Sequence, residues 1–243
     1  MYVGPLVDAT DYLRTLDADA HALADAARKG MDAAVPSCPD WKVADLVDHM
    51  ARVHRWATQI VRDQLTEGVA FPEPPPGVDI LDWYSDGVRG LLDTLGSVAP
   101  DAPAWNFTGG PPVAAFWHRR QALETAVHRW DAQRAHEVTE PIDAALAADG
   151  VDEMLGVFVP GFVASGRRTA PAGSVHVHLT DQPGEWSLRV VDGAVLVERD
   201  HTKADVAIRG EAHDVFLFVW GRRAGDVEVL GDDALLSTWQ LGF

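Results

Sequence analysis

The sequence predicts an α+β protein: a bundle of four helices over residues 1–140, then a small α/β domain over residues 141–243. Two observations carry this reading. Up to about Glu140, apolar residues recur every three or four positions, the repeat of one helix face; beyond it they alternate, the repeat of a half-buried strand. The helical stretches are also parted by proline-bearing turns, which a helix interior does not tolerate.

Leu13, Leu16, Ala20, Leu23 and Ala27 form the first stripe, with Gly30 as its stop. The turn Val35-Pro36-Ser37-Cys38-Pro39-Asp40-Trp41 follows. Val43, Leu46, Val47, Met50, Val53, Ala57, Ile60 and Val61 make a long second helix ending near Gly68. The segment Phe71-Pro72-Glu73-Pro74-Pro75-Pro76-Gly77 is a stiff extended loop. A third helix fits Ile80 to Leu95, and a loop from Ser97 to Pro112 leads to a fourth over Val113 to His136, striped by Phe116, Leu123, Val127 and Trp130. Four such helices suggest a bundle. One or two short helices fit Ile142 to Val163. Strands fit Val175 to Leu179, Trp186 to Val191, Ala194 to Val197 and Ala204 to Ile208; Asp192-Gly193 between two of them is a hairpin signature. Helices near Ala212 to Trp220 and Asp232 to Leu241 close the chain.

Composition narrows the function class. With 37 acidic against 20 basic residues, the chain carries a formal charge of −17. A surface this negative repels phosphate backbones and anionic lipid, which counts against nucleic-acid and membrane-surface partners. The single cysteine, Cys38, leaves no intrachain disulfide and no cysteine-rich zinc module. Met1 to Ala9 lacks the basic and apolar regions of a signal peptide, and no run reaches the ~18 apolar residues of a membrane span. The expectation is a soluble, reduced, cytoplasmic protein, a monomer or homodimer. Lysine occurs only at positions 29, 42 and 203, and this arginine- and alanine-rich usage suggests a GC-rich coding sequence.

Glu124 and His128 lie four apart on the fourth helix, so both side chains leave the same side, one turn apart. A carboxylate and an imidazole suit a borderline divalent cation, although the same spacing also makes an ordinary helix-surface pair. On the helical wheel both flank the apolar arc, which places them at the edge of a bundle core. A further ligand is needed. The second helix offers His49 and His54, and spacing does not choose between them.

The run Val35-Pro36-Ser37-Cys38-Pro39-Asp40-Trp41-Lys42-Val43-Ala44-Asp45-Leu46-Val47-Asp48-His49-Met50 resembles the opening signature of the maleylpyruvate isomerase family, mycothiol-dependent proteins of actinobacteria within the DinB-like superfamily of metal-binding bundles. Arg119-Arg120-Gln121-Ala122-Leu123-Glu124-Thr125-Ala126-Val127-His128-Arg129-Trp130-Asp131-Ala132 is similar to its second signature. The stretch from Ala204-Asp205-Val206 through Trp220-Gly221-Arg222 to Leu230-Gly231-Asp232 resembles its small sterol-carrier-like C-terminal domain. The resemblance implies His49, Glu124 and His128 as ligands of a divalent metal, with zinc suiting a His₂Glu set and nickel, manganese or iron also binding such donors. It further implies mycothiol as a thiol cofactor whose metal-bound thiolate attacks a small electrophile, either leaving again, as in an isomerase, or staying attached, as in a transferase. One departure is Asp40, where the family commonly has glycine.

Other residues carry two readings each. Asp131 is either a partner that orients a ligand imidazole, and so part of the catalytic machinery, or a plain surface acid. The resemblance suggests that Arg222 reaches the site and grips a substrate carboxylate or the thiol cofactor; the alternative is a helix-terminal charge. Arg119 and Arg120 share that ambiguity. Cys38 reads as a small buried packing residue rather than a nucleophile. His176 and His178 share one strand face, read as solvated. Trp41, Trp56, Trp83, Trp117 and Trp130 pack the bundle, with one or two lining a pocket. Competing functions are a metal-dependent hydrolase with Asp131 as general base, and a non-catalytic binding or regulatory protein.

Overall fold

The computed structural model describes residues 7–223 and 225–241, so most of the Met1 to Ala9 segment lies outside the described residues. The protein is α+β, with four long helices followed by a mixed sheet and short helices. It divides into two compact units: Asp8–Phe107 with Pro111–Pro141, and chiefly Ile142–Phe243.

The helical unit holds α1 (Ala9–Arg28), α2 (Val43–Arg62), α3 (Ile80–Ser97) and α4 (Ala114–Arg134), the first three of which begin where the sequence supplies a start. Asp8 accepts a hydrogen bond from the Asp11 N–H, Asp79 from Leu81 and Asp82, and Asp45 from the Lys42 N–H, each satisfying donors that a helix N-terminus leaves open. The second helix stops at Arg62, short of Gly68, because Gln64 turns left-handed (φ 48°). The helices associate as two pairs, α1 with α4 and α2 with α3, joined by smaller α1–α3 and α2–α4 contacts. Leu16, Leu23, Leu46, Met50, Ile60, Leu91, Leu95 and Trp117 fill the interior.

The fourth helix departs from its expected single stripe. Arg119, Arg120, Gln121, Thr125, His128, Arg129, Asp131 and Gln133 are buried together with Leu123, Val127 and Trp130. Burying so many polar groups is costly unless each finds a partner, so this helix is where chemistry is to be sought.

The C-terminal unit starts with α5 (Ala144–Glu153), widens into a π turn over Met154–Phe158, and continues as α6 (Val159–Ala164). Pro160 accounts for the wide turn: it has no N–H for the Gly156 carbonyl, and its ring would crowd that oxygen in a regular helix. Strands β1 (Ser174–Leu179), β2 (Glu185–Val191), β3 (Ala194–Glu198) and β4 (Val206–Gly210) precede α7 (Ala212–Val219); β5 (Glu228–Gly231) and α8 (Ala234–Trp239) follow. The sheet runs β3-β2-β1-β4-β5, with β1 and β4 parallel and the other pairs antiparallel. Asp192 and Gly193 both adopt positive φ (51° and 79°), the geometry of a tight two-residue hairpin. Strand β4 starts two residues later than expected, and β5 was not anticipated: it is a four-residue edge strand, mostly exposed, with no alternation to reveal it. Val175, Val177, Trp186, Leu188, Val206 and Ile208 form the buried face of the sheet.

Gly150 on α5 lies against the Phe216 ring of α7, and a Cβ there would come within 2.2 Å of Cε2. Gly150→Ala is expected to destabilise this unit by ~1–3 kcal/mol through overpacking, although alanine is the better helix former. Hydrogen exchange at the amides of β1 and β2 at stepped urea measures it.

Candidate metal centre

His49 projects from α2 toward α4, where Glu124 and His128 stand one turn apart. Nε2 of His49 lies 3.4 Å and Nε2 of His128 3.5 Å from the same oxygen, Glu124 Oε1. All three donor atoms fall within 4.8 Å of one another. Donors held ~2.0–2.1 Å from a tetrahedral cation are separated by about 3.3 Å, so the spacing fits a zinc-like ion with little adjustment. The donor set also fits: two imidazoles and one carboxylate leave at least one coordination position open.

Each of these side chains is held from behind. Nδ1 of His128 donates to Asp131 Oδ2 at 2.9 Å, which directs Nε2 toward Glu124. Asp131 is fully buried and also accepts from the Ser37 hydroxyl and, at 3.8 Å, from the Cys38 thiol. The turn before α2 thus clasps the carboxylate that orients His128. Asp40 in this turn has φ 69°, which explains why glycine is common there in the resembled pattern; aspartate tolerates the left-handed region better than most residues. The ring of Trp41 stacks on His128 with centroids 6.4 Å apart and an interplanar angle of 18°, and tilts against His49 at 5.2 Å. Arg120 is buried and donates to Glu124 Oε2 at 2.7 Å, leaving Oε1 to face the imidazoles.

Electrostatics follow from this packing. Burial pulls the His128 imidazolium down, but the hydrogen bonds to Asp131 and Glu124 outweigh it and the pKa rises to about 9. Burial pushes Glu124 up, yet the Arg120 guanidinium and the two imidazoles hold it well below the carboxylate range. Glu124 is therefore ionised at neutral pH and offers a charged donor.

A cleft of about 280 Å³ adjoins the cluster, lined by His49, Val53, Trp56, Phe71, Phe107, Trp117, Arg120, Gln121 and Glu124. Its walls are largely aromatic. The buried Oε1 of Gln121 has no hydrogen-bond partner among the described residues. The cleft is of a size for a small molecule.

His54 plays a different part from His49. It is completely buried and its Nε2 meets the Thr125 hydroxyl at 3.0 Å. Burial pushes its pKa down to about 3, so it stays neutral in the folded state. The unfolded chain takes up a proton below the ordinary 6.5 and the folded chain does not, so His54 lowers stability as pH falls from about 6.5 toward 3. His54→Gln keeps a side-chain amide for Thr125 and removes this titration. The acid limb of the unfolding free energy is expected to lose up to about 1.4 kcal/mol of slope per pH unit, read from urea midpoints at stepped pH.

Arg222 lies in the C-terminal unit, where its guanidinium donates to the Trp220 carbonyl at 2.7 Å. Cys38 is half-buried rather than fully buried, with its thiol on Asp131. Trp56 and Trp117 are the two tryptophans that line the cleft. Sequence reasoning missed Ser37, and it left Arg120 undecided although the i, i+4 spacing to Glu124 was its signal. No helix among the described residues is long and apolar enough to cross a membrane.

The chain matches the mycothiol maleylpyruvate isomerase N-terminal domain family over residues 11–133 and the corresponding C-terminal domain family over residues 145–238. It is similar in fold to the crystal structure of the mycothiol-dependent maleylpyruvate isomerase (TM-score 0.64, 11% identity, 93% of this chain and 95% of that one covered). A mutant of that protein gives the same TM-score and coverage at 10% identity. No curated protein matches. Two family domains, in order and together spanning the helical bundle and the sheet, show that this chain belongs to the mycothiol maleylpyruvate isomerase family.

Proposed function

We propose that this protein is a metal- and mycothiol-dependent enzyme, a cis–trans isomerase or S-transferase acting on a small electrophile. The observation that carries this reading is the convergence of His49, Glu124 and His128 on one point beside an aromatic cleft. A cation held there supplies Lewis acidity that keeps a bound thiol deprotonated, the nucleophile that either reaction needs.

The chain's own residues do the rest. Asp131 fixes the tautomer and direction of His128. Arg120 orients Glu124 and offsets part of the site's negative charge. Trp56, Trp117, Phe71 and Phe107 exclude water from the cleft and pack the carbon skeleton of the substrate. Gln121 offers an unspent amide oxygen, an acceptor for a donor on the substrate. The hydrolase alternative needs a general base, and Asp131, its candidate, is buried with its oxygens committed to Ser37, Cys38 and His128.

Metal analysis of the purified protein beside His49→Ala tests the reading, followed by mycothiol addition to a cobalt-loaded sample. A loss of one equivalent of metal in the variant relative to the wild type, with a sulfur-to-cobalt charge-transfer band on thiol addition that the variant lacks, is the expected result. A metal-bearing bundle blind to the thiol would favour hydrolysis, and a bundle that binds no cation would leave a binding protein.

A further inference from the structure

The outward face of the sheet is polar where the opposite face is apolar. His176 and His178 alternate on β1; Ser187 and Glu185 stand across from them on β2, and Ala207 and Arg209 on β4. His201, in the loop after β3, comes back over this face, its ring 4.9 Å from that of His176. The expectation of a solvated face for His176 and His178 is not met at His176, which is only 7% exposed, while His178 is half-buried.

Three nitrogen donors surround one carboxylate oxygen. Glu185 Oε1 lies 2.5 Å from His178 Nδ1, 2.8 Å from His201 Nδ1 and 4.0 Å from His176 Nε2. The donor atoms of His176, Glu185 and His201 all lie within 4.8 Å of one another. The buried Nε2 of His176 has no hydrogen-bond partner among the described residues. A buried polar atom left without a partner costs free energy unless something supplies one. The cluster opens onto a cleft of about 360 Å³ lined also by Thr202, Lys203, Ala207, Leu230 and Arg209, the last paired with Glu228.

We propose that this face is a second divalent-cation site, with His176 Nε2, Glu185 Oε1 and His201 Nδ1 as ligands and His178 holding the carboxylate. The donor chemistry selects a borderline ion of the zinc, cobalt or nickel kind over magnesium or calcium, which prefer all-oxygen cages. A strand pair supplies two ligands on a rigid base, and the loop after β3 supplies the third. An inward shift of His201 and His176 is enough to bring the three donors to bonding distance of one ion. The site belongs wholly to the C-terminal unit and does not depend on the proposed role of the bundle cluster.

The test uses the full-length protein titrated with cobalt(II) alone. His49→Ala/His128→Ala, which removes the bundle donors, is expected to retain one equivalent, with the visible absorption of nitrogen and oxygen ligation. Adding His201→Ala is expected to weaken that binding by more than the ~10–100-fold typical of losing an outer partner; its side chain is 76% exposed, so the fold tolerates the change. Glu185→Gln, which keeps a hydrogen-bonding side chain, is expected to weaken binding likewise. The proposal is overturned if the double variant binds no cobalt, or if its cobalt is indifferent to both His201→Ala and Glu185→Gln. His201→Ala alone should leave the bundle equivalent in place, so the two sites stand or fall separately.

Discussion

His128→Ala is expected to reduce the metal content of the bundle site to background and to lower turnover by about a thousand-fold. Loss of one of three protein ligands leaves a carboxylate and one imidazole, too few to retain a cation against water. Metal-derived charge stabilisation is worth several kcal/mol, which corresponds to that factor in rate. The pH dependence of metal uptake provides a second reading of the same residue. In the metal-free protein His128 keeps its proton up to about pH 9, and a cation must displace that proton to bind Nε2. Apparent affinity should climb about tenfold per pH unit until about 9 and then level. Stability of the metal-free bundle runs the other way: the contribution of protonated His128 is complete below 6.5 and is lost as pH rises through about 9. Equilibrium dialysis at stepped pH, with thermal melts of metal-free protein, measures both.

Asp131→Asn is the second large effect. The asparagine is nearly isosteric but cannot accept as an anion from His128, Ser37 and Cys38 together. Metal affinity should fall ~10–100-fold. The break in the affinity–pH curve should also move down from about 9, because the hydrogen bond to Asp131 is the largest influence raising His128. A purely structural role for Asp131 would change the melting temperature and leave the position of that break alone. Competition with a chromophoric chelator across pH separates the two.

Helix positions were legible because their apolar spacing and their stops are local properties. The end of α2 was overrun because Gln64, which turns left-handed, carries no sequence mark that glycine would have carried. The π turn was invisible for the same kind of reason: Pro160 announces a break and not its geometry. The α4 stripe was legible, but the burial of Arg120, Gln121 and Asp131 depends on what surrounds the helix, which no window on one helix contains. Within the candidate site, spacing set Glu124 and His128 on one side but left His49 and His54 open. The fold parts them, seating His54 against Thr125 in the core and bringing His49 Nε2 to Glu124. Glu185, seven residues from His178, could be linked to it only through the register of β1 with β2.

The bundle is two helix pairs meeting along a seam, and the three donors straddle that seam, His49 on one pair and Glu124 with His128 on the other. An ion seated there would add a clasp to the smaller α1–α3 and α2–α4 contacts that join the halves. Its binding energy is then also cohesion energy: at a free metal concentration a hundred times the dissociation constant, the closed bundle gains about 2.7 kcal/mol. Conversely, separating the pairs would lengthen the His49–Glu124 distance and weaken the grip on such an ion. Grip and closure would then be one equilibrium.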